Sequence, residues 1–143
     1  MHWLSLATAL VAAHVVANVV WIGAILSVAV LAGRGPLSAD PVEVGTLAKR
    51  VYVSLAVPAF LVSFAAGAAR IALQPRAYAH LPWMHAKLTL ALVVIVLHHM
   101  IGARARRVAN GDGNAGRGAG LLAATIFVGA AGAVLLGVAK SLP

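Results

Sequence analysis

Residues Pro82 to Arg107, PWMHAKLTLALVVIVLHHMIGARARR, decide how the chain is read. The stretch is apolar over enough length to cross a bilayer, because about 20 helical residues at ~1.5 Å rise cover a hydrocarbon core of ~30 Å. It lacks the strict apolar and polar alternation that a membrane barrel strand needs. Yet it carries His85 and Lys87 near one end and His98 and His99 near the other. Ionisable groups at membrane depth are costly and usually face a bundle interior, an ion or a cofactor. The stretch is therefore both a candidate span and a candidate site.

Working outward, three more segments have the same apolar character, so the expected helices cover about 3–32, 41–73, 82–103 and 119–139. With 143 residues, 62% hydrophobic and 10% charged, the composition excludes an ordinary soluble domain. The expectation is a single transmembrane domain, 1–143: an all-α, integral membrane four-helix bundle with both termini on the same side. The first segment opens without the basic residues of a cleaved leader and is read as a mature helix.

The 11 basic residues outnumber the 3 acidic ones, for a net charge of +8. In a soluble chain this would suggest nucleic acid. Here the basic residues sit in short loops beside apolar spans, so the expected partner is membrane lipid with anionic headgroups, and nucleic acid is not expected. Arg34, Lys49, Arg50, Arg104, Arg106, Arg107 and Arg117 lie in the first and third connections, against Arg70, Arg76 and Lys140 on the other side. The positive-inside rule then puts both basic loops in the cytoplasm and both termini outside, in a multi-pass protein of the inner (cytoplasmic) membrane. Trp3, Tyr78 and Trp83 are expected to form an aromatic belt at the outer interface. With no cysteine, disulfides, thiolate metal sites and iron–sulfur clusters are excluded, so a redox metal must be held by His, Met or carboxylate or arrive inside a cofactor.

Local signals refine this layout. Asp40, Pro41 and Glu43 form an N-cap pattern that starts the second helix outside the membrane. Pro58 predicts a kink that frees the carbonyl of Ser54. Ala59, Ser63 and Gly67, and again Gly129, Ala133 and Gly137, make small-residue packing faces, within the chain or between copies of a homo-oligomer. The stretch ARARRVANGDGNAGRGAG is expected to be a flexible, exposed loop.

His14, Asn18 and Trp21 share one face of the first helix near mid-membrane. Counted from the helix midpoints, His14 lies roughly 5 Å and Lys87 roughly 9 Å towards the outer side, close enough in depth to meet one ligand. Lys87 and His98 are about 20° apart around the third helix, whereas His85 and His99 point to other surfaces. A neutral imidazole is a good axial ligand for haem iron. It can equally be satisfied by a backbone carbonyl. No span contains a carboxylate to pair with Lys87, so its anion is expected to come from a ligand, although a lysine one turn inside Trp83 can also snorkel to headgroups. Copper is the alternative metal, with Met84 and His85 at one end and His98, His99 and Met100 about 20 Å away as two separate sites.

Four stretches, HVVANVVWIGAIL, KRVYVSLAVPAFLVSFAAG, WMHAKLTLALVVIVLHH and VLLGVAKSLP, resemble the HemJ family of membrane protoporphyrinogen IX oxidases, which belongs with the CopD-like four-helix membrane proteins. The third, with its W-x-H-x-K-L core and a later His, is the most specific. The resemblance implies haem b as cofactor, protoporphyrinogen IX as substrate, and loss of six electrons and six protons to give protoporphyrin IX. The electron acceptor is not written in the sequence, and a membrane quinone is one candidate. The resemblance also implies that His14, the metal ligand, and Lys87 are the catalytic pair, with His98, Trp21 and Arg50 also contributing to cofactor binding. Asn18, one turn from His14, is expected to add a polar contact to the cofactor site. Pro58, His85 and Lys140 fall on other recurring family positions. The resemblance leaves two alternatives, a CopD-like copper-handling or transport protein and a haem-binding paralogue without oxidase activity.

Overall fold

The computed structural model describes residues 2–78 and 80–139, with side chains over 6–78 and 80–138. The expected positions of Trp3 and Lys140 therefore lie outside the described side chains. Helix α1 spans His2–Gly33. Helices α2 (Pro41–Val51) and α3 (Val57–Leu73) are joined by one wide π turn, Tyr52–Ala56, into a continuous rod. A short α4 (Pro75–Tyr78) leads to α5 (Pro82–Ala109) and α6 (Ala119–Ala139), with 3-10 turns at Gly35–Leu37 and Gly113–Gly116. Four helical stretches are long and apolar enough to cross a membrane, and the chain is a multi-pass, all-α membrane bundle.

The ends of these helices are set by local chemistry. Asp40 accepts a hydrogen bond from the Glu43 amide at 3.0 Å and Pro41 takes the first helical position, as the cap pattern requires. The proline in the second span produces the π turn. Pro58 has no N–H and its ring crowds the carbonyl four residues back, so the preceding turn widens and the Val57 amide reaches Tyr52 instead.

The third long helix runs six residues past the expected boundary, to Ala109. Alanine and arginine are strong helix formers, and Ala105 and Val108 are buried, so the arginine cluster continues the helix instead of opening a loop. Asn110 and Gly111, the latter at φ +94, stop it. The connection from Asn110 to Gly118 is ordered by the chain's own polar groups, unlike the flexible loop expected from composition. Asp112 pairs with Arg107 at 2.7 Å and caps the Ala115 amide, while Arg104 bonds the carbonyls of Ala115 and Arg117.

Packing is uneven along the bundle axis. At the arginine-rich end, Ile25, Val28, Ala29, Ala32, Ala48, Ile101, Ala105, Val108, Ala119, Ala123 and Ile126 form a closed core. At the other end burial thins to Ala17, Ser63, Ala66, Met84 and Val94. There α3 stays against α1, while α5 pairs with α6, so the two rods diverge beyond Phe60. Large apolar side chains such as Val19, Leu61, Phe64, Leu92 and Leu135 face outward, as lipid-facing positions should. Exposed hydroxyls on Thr89, Thr125 and Ser54 bond the carbonyl one turn back, which satisfies them without water. Small residues set the helix spacing. A Cβ at Gly129 or Gly132 would meet Val94 or Leu90 at 3.0 and 3.3 Å, so the packing face of α6 includes Gly132.

Candidate functional site

His14 sits at the seam between α1 and α3. Its Nδ1–H donates to the backbone carbonyl of Ser63 at 2.8 Å. A carbonyl can only accept, so the ring proton resides on Nδ1 and Nε2 keeps its lone pair. The Asn18 amide donates to that Nε2 at 3.0 Å, and the Ser63 hydroxyl donates to Asn18 Oδ1 at 2.8 Å. The three residues close a ring of hydrogen bonds across two helices, with the Ser63 backbone carbonyl as one of its members. Gly67 makes room for the imidazole, because a Cβ there would lie 3.0 Å from its Cε1 and Nδ1. The stripe Ala59, Ser63 and Gly67 packs against α1 as its spacing predicts, and it also holds the histidine.

A second polar unit lies deeper in the bundle. The indole N–H of Trp21 donates to His98 Nδ1 at 3.0 Å, and His98 is 0% exposed. Trp21, Tyr52, Phe60 and His99 surround that imidazole with ring centroids 5.0 to 5.7 Å away. The indole is a donor only, so Nδ1 is the acceptor and the proton of a neutral His98 is on Nε2. That Nε2 has no hydrogen-bond partner among the described residues. While the indole bond holds, His98 has no lone pair to offer a metal.

The Trp21–His98 bond makes a testable pair. Trp21→Phe should lower stability by on the order of 1 kcal/mol, since it strands a second buried nitrogen. Trp21→Phe combined with His98→Phe should recover part of that loss, read as melting temperature in detergent. Strictly additive losses would mean the two residues act independently.

The other expected site residues are spread out. Lys87 is half-buried, and its Nζ lies 3.8 Å from the point where a Cβ on Gly137 of α6 would be, so it borders the α5–α6 seam. No described contact joins it to His14, and a ligand shared by the two would have to reach from one seam to the other. Arg50 is exposed at the arginine-rich end of α2, about thirteen residues and roughly 20 Å of helix from Ser63, outside the reach of His14. His85 is exposed, and its Nδ1–H donates to the Leu81 carbonyl one turn back at 3.1 Å. His99 Nδ1 lies 3.4 Å from the Tyr52 hydroxyl, with Arg106 over the Tyr52 ring. Arg70, Tyr78 and Trp83 cluster at the opposite end, which places two of the three expected belt aromatics together.

Ser63 and Tyr52 are the contacts of these two polar units that residue type alone did not single out. The only signal for Ser63 was its place as the one hydroxyl in a small-residue stripe. Groups of three or more His, Cys, Asp or Glu arranged to hold a bare metal ion are absent among the described residues. For haem, which needs one imidazole of the correct tautomer, His14 fits: a ligating histidine is normally oriented by its other ring N–H on a carbonyl. The Asn18 amide would have to turn away to free Nε2. Comparison with protein-family models, characterised proteins and solved structures finds no match to this chain.

Proposed function

We propose that the chain is a haem b-binding membrane oxidoreductase that converts protoporphyrinogen IX to protoporphyrin IX, with His14 as the axial ligand. The observation that supports it is the orientation of His14. Its Nδ1–H is committed to the Ser63 carbonyl, and its Nε2 lone pair is covered by a single amide that can rotate about one side chain. Haem, when bound, supplies the one-electron redox couple that the chain's own side chains lack. In this reading Ser63 and Gly67 fix the imidazole, Asn18 guards the lone pair, and Lys87 supplies the positive charge for a propionate. In this reading the anion that Lys87 meets is a porphyrin propionate. Copper handling has less support, because the His98 nitrogen facing Trp21 is already engaged as an acceptor and the described residues include no group of three or more His, Cys, Asp or Glu that could hold a bare ion.

The test is purification in mild detergent followed by haem quantification and absorption spectroscopy. Wild-type protein should carry haem b, His14→Ala should lose it, and Asn18→Ala should keep it. Lys87→Ala should retain the fold yet fail to restore growth of a strain lacking protoporphyrinogen oxidase, which the wild type restores. A folded wild-type protein that is colourless would sink the haem reading. Red protein that fails to restore growth would remove the oxidase assignment alone.

A further inference from the structure

We infer that the groove between α1 and α6 at the arginine-rich end is a binding site for the phosphate of an anionic phospholipid. The groove has a volume of about 560 Å³, and its lining includes Val30, Gly33, Arg34, Leu37, Arg117 and Gly120. Its walls change character along the bundle axis. Val30 and Gly120 border the apolar end within the helices, while Arg34 and Arg117 border the end where the helices leave the span. That order, apolar wall then paired cations, matches a phospholipid lying along the bundle with its phosphate at the interface.

The two guanidiniums are available for an anion. Neither the Arg34 nor the Arg117 side chain has a hydrogen-bond or ion-pair partner among the described residues. The neighbouring groove of about 520 Å³ shares Arg117 but differs in this respect. There Arg107 is neutralised by Asp112 and Arg104 is engaged by the carbonyls of Ala115 and Arg117. Those bonds hold the loop after α5 in place, and with it the Gly113–Gly116 turn against α1. The groove is therefore a built feature of the closed end of the bundle. Its lining is small near the helices, and a Cβ on Gly120 would meet nothing within 4 Å, so the groove is open at that point. Arginine suits phosphate because its planar fork can bond two oxygens at once.

The site does not depend on the haem reading and is tested separately. Purified full-length protein would be titrated with phosphatidylglycerol, phosphatidylcholine or inorganic phosphate in detergent, with melting temperature and retained lipid by mass spectrometry as readouts. Phosphatidylglycerol should raise the melting temperature and be retained, while phosphatidylcholine and inorganic phosphate should do neither. A basic group beside an anionic headgroup contributes about 1 kcal/mol, so Arg34→Gln and Arg117→Gln should each weaken the response by about fivefold. Gly120→Phe, which fills the groove without changing charge, should weaken it as well. Lys49→Gln, exposed on another helix at the same end, should not. Equal effects of Lys49→Gln and Arg34→Gln would show diffuse charge attraction and overturn the proposal. A response to phosphatidylcholine equal to that of phosphatidylglycerol, or one reproduced by inorganic phosphate, would overturn it as well.

Discussion

Gly45→Ala should leave little folded protein in the membrane fraction. Gly45 is buried where α2 crosses α5, and a Cβ there would overlap the backbone of Val108 and Ala109. Backbone cannot rotate aside as a side chain can, so the two helices must separate along the whole crossing. Overpacking of a core commonly costs about 1–3 kcal/mol, and a clash with main chain belongs at or above the top of that range. The loss also propagates, because Val108 and Ala48 are both fully buried nearby. The check is the monodisperse fraction on detergent size exclusion and its melting temperature. A wild-type profile for Gly45→Ala would mean that α2 and α5 do not approach this closely.

The second large effect is expected at Gly102. Its α5 backbone lies under the Tyr52 phenol ring, where a Cβ would overlap ring carbons and the hydroxyl. Tyr52 cannot easily yield, since its ring also packs on His98 at a centroid distance of 5.0 Å and its hydroxyl neighbours His99. Gly102→Ala should therefore destabilise by roughly 1–3 kcal/mol. Tyr52→Ala removes the obstruction, so the double variant should be less damaged than the sum of the single ones, with a coupling of about 0.5–3 kcal/mol. Additivity in melting temperature would show that the clash does not govern Gly102. The contrast with Gly23, where a Cβ meets nothing within 4 Å, supplies a control: Gly23→Ala should be close to neutral.

Much of the architecture was legible because a bilayer imposes simple rules. Span length and the Asp40 cap each have one dominant cause, and the four spans and the start of α2 result from them. The end of α5 was not legible from composition. Arg104, Arg106 and Arg107 look like loop residues when counted as charges, but the residues between and beside them, Ala105 and Val108, face the core. Burial of that face by α2 decided the outcome, and only the tertiary contact reveals it.

At the site, His14 and Asn18 could be paired from their spacing alone, since residues four apart meet on a helix. Ser63 could not be paired with them, because it lies 49 residues from His14 and its place depends on which helix packs against which. The joint depth of His14 and Lys87 was computable from rise per residue. Rotation about each helix was not, and it sends one side chain to the α3 seam and the other towards Gly137. Similarly, His98 shared a calculated stripe with Lys87, but a stripe along a 28-residue helix meets different neighbours at its two ends. One end meets α6. The other meets the rings of Trp21, Tyr52 and Phe60.

The π turn at Tyr52–Ala56 acts as a phase shifter between the halves of the second span. A turn of this kind absorbs one extra residue, so every side chain after it occupies the angular position its predecessor would hold in an unbroken α-helix, an offset of about 100°. Had Pro58 not enforced the wide turn, the position now held by Ser63 would fall to Val62, and Ser63 would point towards lipid. The carbonyl that fixes the His14 tautomer, and the hydroxyl that steadies Asn18, are thus delivered by a proline five residues before Ser63 that touches neither of them.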